Sequence, residues 1–134
     1  MSTKRTIVAF LVLVLTAGCA TTSSKTVRSE FEDIPVPKGL TYQADKSTVI
    51  ESSSVKAARL VYRGRIEVDS LSVAMRTTLE ANGWRHVSST ATADHGITQV
   101  YEKSGSSLEV HLLDGWWYTV VELTASRAQQ QAIK

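Results

Sequence analysis

Ala58, Leu60, Tyr62, Gly64, Ile66 and Val68 alternate with Arg59, Val61, Arg63, Arg65 and Glu67. A period of two with one apolar side predicts a half-buried strand over 58–68. The shorter run Ser47 to Glu51 predicts a strand before it. The period then changes. Leu71, Ala74, Met75, Thr78, Leu79 and Asn82 recur at steps of three and four, with Arg76, Thr77 and Glu80 largely on the other side. That spacing is one face of an amphipathic helix. Asp69 is the expected N-cap, with Val68 and Val73 at the staple positions around it. Asn82-Gly83-Trp84 is the expected stop: Gly83 supplies the left-handed residue after the last turn, and Trp84 falls back near Leu79.

The rest of the pattern is hairpin. Trp84 to Thr90 predicts a short strand after the helix. Ile97 to Lys103 is followed by Ser104-Gly105 and the alternating Leu108, Val110 and Leu112, which sets Tyr101 near Leu108. Asp114-Gly115 then precedes Trp117, Thr119, Val121 and Leu123. An Asp-Gly pair between alternating runs favours a two-residue primed turn. With that turn, Leu113 pairs with Trp116, Leu112 with Trp117, Val110 with Thr119 and Leu108 with Val121. The predicted order is β-β-α-β-β-β-β. This is an α+β two-layer sandwich: a largely antiparallel sheet of five or six strands with one helix on one face.

One helix covers only one face of such a sheet. The same register turns Leu113, Trp116, Tyr118, Val120 and His111 to the other face, with Glu109 beside them. Exposed apolar patches mark contact surfaces, and aromatic residues dominate their energetics. Arg59, Arg63 and Arg65 line the outer side of the long strand. An aromatic surface with a basic rim suits an anionic partner, such as a lipid A phosphate, a peptidoglycan carboxylate or an acidic protein surface. The alternative is that the Ile34–Leu40 segment or the C-terminus folds over this face.

The ends of the chain read differently from its middle. Ile34-Pro35-Val36-Pro37 forces an extended entry to a single domain over 34–126, and Lys38-Gly39 reads as a turn. Residues 127–134 form a polar tail. Residues 20–33 are Ser/Thr-rich and read as a flexible tether, spanning roughly 20 Å root-mean-square. Before them, Met1 to Arg5 is basic, Thr6 to Thr16 is uncharged and apolar, and Leu15-Thr16-Ala17-Gly18-Cys19 closes with small residues. The apolar run is too short to remain across ~30 Å of hydrocarbon, so residues 1–18 read as a cleaved secretory signal peptide.

Leu15-Thr16-Ala17-Gly18-Cys19 resembles the lipobox of bacterial lipoproteins. The resemblance implies that Cys19, the only cysteine, becomes the first mature residue and carries a diacylglycerol, usually with a further acyl chain such as palmitate on its amino group. Two or three chains hold a protein stably on a bilayer where one does not. Ala20 follows where an aspartate would imply retention at the inner membrane. The resemblance therefore implies an outer-membrane anchor with the domain in the periplasm.

Charge changes with processing. The chain has fifteen Lys and Arg against thirteen Asp and Glu. Lys4 and Arg5 leave with the leader, so thirteen basic groups face thirteen acidic ones in the mature protein. Nucleic-acid binding would call for a marked basic excess. Catalytic signatures are also missing: there is no Gly-x-Ser-x-Gly, no His-Glu-x-x-His and no glycine-rich phosphate loop. His86, His95 and His111 have no mutual ligand spacing. Glu102, Glu109 and Glu122 are candidates for outer-face neighbours, but without an inferred cleft. The expectation is a non-enzyme with no cofactor and no metal.

Ile34-Pro-Val-Pro-Lys-Gly39, Leu60-Val-Tyr-Arg-Gly-Arg-Ile66, Asn82-Gly-Trp84 and Val100-Tyr-Glu-Lys103 are similar to a family of small proteobacterial lipoproteins of unknown function. Those motifs are turns, a helix cap and core aromatics. The resemblance implies the same address and fold and carries no catalytic residue. The expected role is a non-catalytic interaction or accessory module of an envelope complex, with a protein partner. The alternative is a small-ligand or envelope-lipid binding module.

Overall fold

The computed structural model of the chain describes residue 31 and residues 33–128. The expected leader, Cys19, most of the expected tether and residues 129–134 lie outside the described residues. Among those described, the elements run β1 (Thr41–Tyr42), a 3₁₀ turn (Ala44–Lys46), β2 (Thr48–Glu51), β3 (Val55–Gly64), α1 (Val68–Ala81), β4 (Arg85–Ala91), β5 (Ile97–Lys103), β6 (Ser106–Leu113) and β7 (Thr119–Ala128). The strands form one antiparallel sheet in the order β1-β3-β7-β6-β5-β4, with β2 also paired to β3. The α+β sandwich expected from the pattern is present, with β1 as an added strand.

The alternating pattern of 58–68 is split by the helix. β3 ends at Gly64, and Glu67 takes an extended conformation as the N-cap in place of Asp69. Its carboxylate accepts from the N–H groups of Asp69 (2.9 Å) and Ser70 (2.8 Å) and from the Ser70 hydroxyl. A longer carboxylate two residues earlier satisfies the orphan donors, and Asp69 instead places its charge in the first turn, where the helix dipole favours it. The staple positions shift with the cap to Ile66 and Leu71, and Val73 is left exposed. At the other end the expected stop forms. Gly83 has φ +83°, its N–H donates to Glu80 O, and the Trp84 N–H donates to Leu79 O. This double bond pattern is a Schellman motif.

Register decides the core. Leu60, Leu123, Val110 and Gln99 lie in one cross-strand row, and Tyr62, Val121, Leu112 and Ile97 in the next. Ala58, Ala125, Leu108, Tyr101 and His86 form a third. Val68, Leu71, Met75 and Leu79 of α1 bury against this face. The N-terminal segment packs on the same face: Phe31 and Ile34 are buried, and Val36 and Leu40 rest against the core. It therefore does not cover the outer face. Phe31 and Asp33, read from sequence as tether, belong to the domain, and Arg127 and Ala128, read as tail, complete β7.

Gln99 is the buried polar group that joins the two layers. Its amide donates to Ser72 Oγ (2.9 Å) and Ser72 O on α1, and its carbonyl oxygen accepts from the Tyr101 hydroxyl (2.9 Å). Burial pushes the Tyr101 hydroxyl up from 10 to about 12; Arg76 opposes this and Glu80 adds to it. The folded chain thus holds this proton to higher pH than the unfolded chain. Stability from this group is whole below pH 10 and is lost as pH rises through about 12. Urea unfolding at successive pH values should show a fall across this window that the Tyr101→Phe variant lacks. Equal slopes in the two proteins would refute it.

Candidate functional site

Three connections meet at one end of the sheet: residues 65–67 between β3 and α1, 92–96 between β4 and β5, and 114–118 between β6 and β7. The third departs from expectation. Leu113 pairs with Val120, Leu112 with Val121, Val110 with Leu123 and Leu108 with Ala125. The register is four residues off that set by a two-residue turn. Asp114 to Tyr118 instead form a five-residue loop. It is closed tightly, because a Cβ at Gly115 would collide with the Tyr118 carbonyl. A slip of four keeps every side chain on its expected face, so period two cannot detect it. It does remove Trp116, Trp117 and Tyr118 from the ladder. Trp117, expected in the core opposite Leu112, is 73% exposed.

The loop presents a bare aromatic tip. Trp116 is 91% exposed and Tyr118 38%. The Tyr118 ring lies beneath two guanidinium groups, those of Arg63 and Arg65, each 5.1 Å from its centroid. Arg65 Nη2 also lies 3.5 Å from the Tyr118 hydroxyl. Cation–π contacts of this kind hold a ring in place at modest energy, about 0.5–1 kcal/mol at exposed sites. Arg63, Val120 and Leu113 form the outer-face row next to the loop. Of the residues singled out by the pattern, Leu113, Val120, Tyr118, Arg63 and Arg65 therefore come together, with Trp116 at the tip.

Two residues sit apart. His111 lies one row further in, between Glu122 and Thr98. Arg59 lies a further row away, and its Nε and Nη2 donate to Glu122 at 3.2 and 2.5 Å. Arg59 is thus an ion-pair partner and not a member of the rim. The outer-face glutamates lie on three successive strands, each diagonal to the next, with Glu122 ion-paired to Arg59, Glu102 ion-paired to Arg85, and Glu109 opposite Thr124.

Behind the loop, on the helix side, is a feature that the pattern did not predict. Glu67, Asp69, Asp114 and His95 line a cleft of about 330 Å³ with Val68, Thr92 and Ile97. None of Arg63, Arg65, Trp116 or Tyr118 lines it. Hydrogen bonds from the Ser70 backbone and hydroxyl, and from the Asp69 backbone, hold the Glu67 carboxyl below its ordinary 4.5, so it stays charged. Glu67 and Asp69 lie far from His95 and Asp114 in the sequence, and no local spacing signals that the four share a cleft. Among the described residues no group of three or more His, Cys, Asp or Glu is arranged to hold a metal ion. No described helix is long and apolar enough to cross a membrane.

Comparison with family models, with curated proteins and with solved structures finds no match to this chain.

Proposed function

We propose that this protein is an outer-membrane-anchored periplasmic lipoprotein, held by acyl chains on Cys19, whose domain is a non-catalytic protein-interaction module of an envelope assembly. The observation that carries the reading is the polarity of the domain. Phe31, where the chain arrives from Cys19, packs against Arg127 near the end of β7. The Trp116–Tyr118 tip precedes the start of the same strand at Thr119. A ten-residue strand separates them by roughly 30 Å at ~3.3 Å per residue. The tether thus enters at one pole and the aromatic, arginine-flanked surface occupies the other, directed away from the anchoring bilayer.

The composition of that pole supports contact with protein. Trp, Tyr and Arg are the residues that carry most binding energy at interfaces. The tight closure at Gly115 leaves the loop backbone little conformational freedom to lose on binding. The alternative of a ligand or lipid carrier needs an enclosed apolar space between helix and sheet. Leu71, Met75, Leu79, Leu108 and Leu112 occupy that region and are fully buried.

The test is crosslinking in intact membranes followed by capture of the full-length protein. Trp116→Ala and Tyr118→Ala should leave the unfolding midpoint within a degree or two, since surface changes rarely exceed ~0.5 kcal/mol. Each should also deplete the crosslinked partner at least several-fold. Retention of every partner by both variants would sink the interaction surface. An unmodified Cys19 thiol on a soluble cytosolic product, seen by mass spectrometry, would sink the anchor.

A further inference from the structure

Six arginines lie among the described residues. Arg59, Arg76, Arg85 and Arg127 each pair with a carboxylate. Arg63 and Arg65 form no ion pair among the described residues, yet their guanidinium groups converge on one ring. Two like charges held together without a counter-charge favour an incoming anion. On the other side of the same five-residue loop the situation is inverted. Glu67, Asp69 and Asp114 are exposed, line one cleft, and form no ion pair with a described basic residue. The only titratable group with basic character in that lining is His95.

We propose that the partner received at this pole is a second copy of this chain, with Arg63, Arg65 and Trp116 of each copy set against the Glu67–Asp69–Asp114 cleft of the other. This rests on the reading of the pole as a contact surface. A two-fold axis passing beside the 114–118 loop exchanges the basic side and the acidic side in one operation, so both mismatched charge groups are neutralised at once. Such an isologous contact is closed and stops at two copies. The cleft can receive an aromatic side chain, and Trp116 is the bare one beside the arginines. With the leader removed the copies carry equal numbers of basic and acidic groups, so no net repulsion opposes their approach. An anionic bilayer fits less well, because it would meet three carboxylates along with the two arginines and would have to approach from the pole opposite the tether. A contact confined to one pole is smaller than the ~800 Å² per partner of standard interfaces. It is weak in solution and strengthened where anchored copies share a bilayer.

The experiment uses two differently tagged full-length copies co-expressed in the same membranes, with capture of one tag and quantitation of the other. The unaltered pair should co-purify. Arg65→Glu in both copies sets a carboxylate against Asp114 of the facing copy. Asp114→Arg in both copies sets a guanidinium against Arg65 of the facing copy. Each should reduce recovery at least tenfold. An R65E copy paired with a D114R copy brings the two introduced charges, opposite in sign, against each other at one contact and leaves the native Asp114 and Arg65 facing at the second. That mixed pair should recover most of the signal. Recovery also shows that both variants fold. Undiminished capture for either single variant, or no recovery in the mixed pair, would overturn self-association. In that event, Trp116-dependent crosslinks to a different protein would leave the interaction-module reading standing. Loss of those crosslinks as well would remove both. Sedimentation of the purified protein with anionic phospholipid vesicles in an Arg65-dependent manner would assign the arginines to lipid and overturn the proposal.

Discussion

Phe31→Ala should lower the stability of the protein by about 3–4 kcal/mol, the cost of removing a fully buried phenyl ring from a core that cannot close over the space. Phe31 is 2% exposed and belongs to the same cluster as Leu60, Leu123 and Met75. The Arg127 guanidinium lies 4.9 Å above its ring, and Arg127 Nη2 reaches both Asp33 carboxylate oxygens at 2.5 and 2.6 Å. The ring and the ion pair therefore clasp the incoming chain to the end of β7. Their energies differ widely. Asp33 is exposed, and an exposed pair contributes about 0.2–1 kcal/mol, screened by salt. Asp33→Ala should thus cost little, while Phe31→Ala costs much. Urea unfolding of the full chain and both variants distinguishes them. A loss below about 1 kcal/mol for Phe31→Ala, well short of the range for a buried aromatic, would mean that the segment ahead of Ile34 is not part of the core. Under the proposed anchoring, the same result would move the start of the tether, and so the reach of the domain from the bilayer.

Gly64→Ala should cost about 2–3 kcal/mol, for a different reason. A Cβ at this position would lie 2.7 Å from Gly39 O and 2.9 Å from Leu40 Cδ2. The Leu40 methyl can turn aside, but the Gly39 carbonyl is backbone and cannot. The N-terminal segment passes directly over the end of β3, and glycine is what permits that approach. The substitution would push Lys38–Leu40 off the sheet and disturb the end of β3, where Arg63 and Arg65 flank Gly64. Its effect should therefore appear twice: as a lowered unfolding midpoint and as weakened capture in the two-tag experiment. An unchanged midpoint would show that the crossing is looser than these distances require.

The β5–β6 hairpin shows what the pattern settles. Ser104 and Gly105, both at positive φ, turn Lys103 opposite Ser106 and bring Tyr101 opposite Leu108, as the alternation requires. The helix stop is equally local, since Gly83 and Trp84 bond back within one turn. The β6–β7 connection shows the limit. Asp114-Gly115 satisfies the rule for a two-residue turn, yet β7 must also pair along ten residues of β3. That long ladder places Val121 and Leu123 mid-sheet and leaves the three aromatics outside it. No residue within the loop records the length of the strand that will lie beyond β7.

Local chemistry in the sequence determined the elements, the two layers, the faces of each strand and the arginines and aromatics that share the outer side, because propensity, capping and period act between near neighbours. Tertiary structure alone decided the register of β7, the union of Phe31 with the core, and the placing of an arginine couple and an acidic cleft on the two sides of one loop. Those depend on which surfaces compete for the same buried space. That competition is settled between segments far apart in the chain.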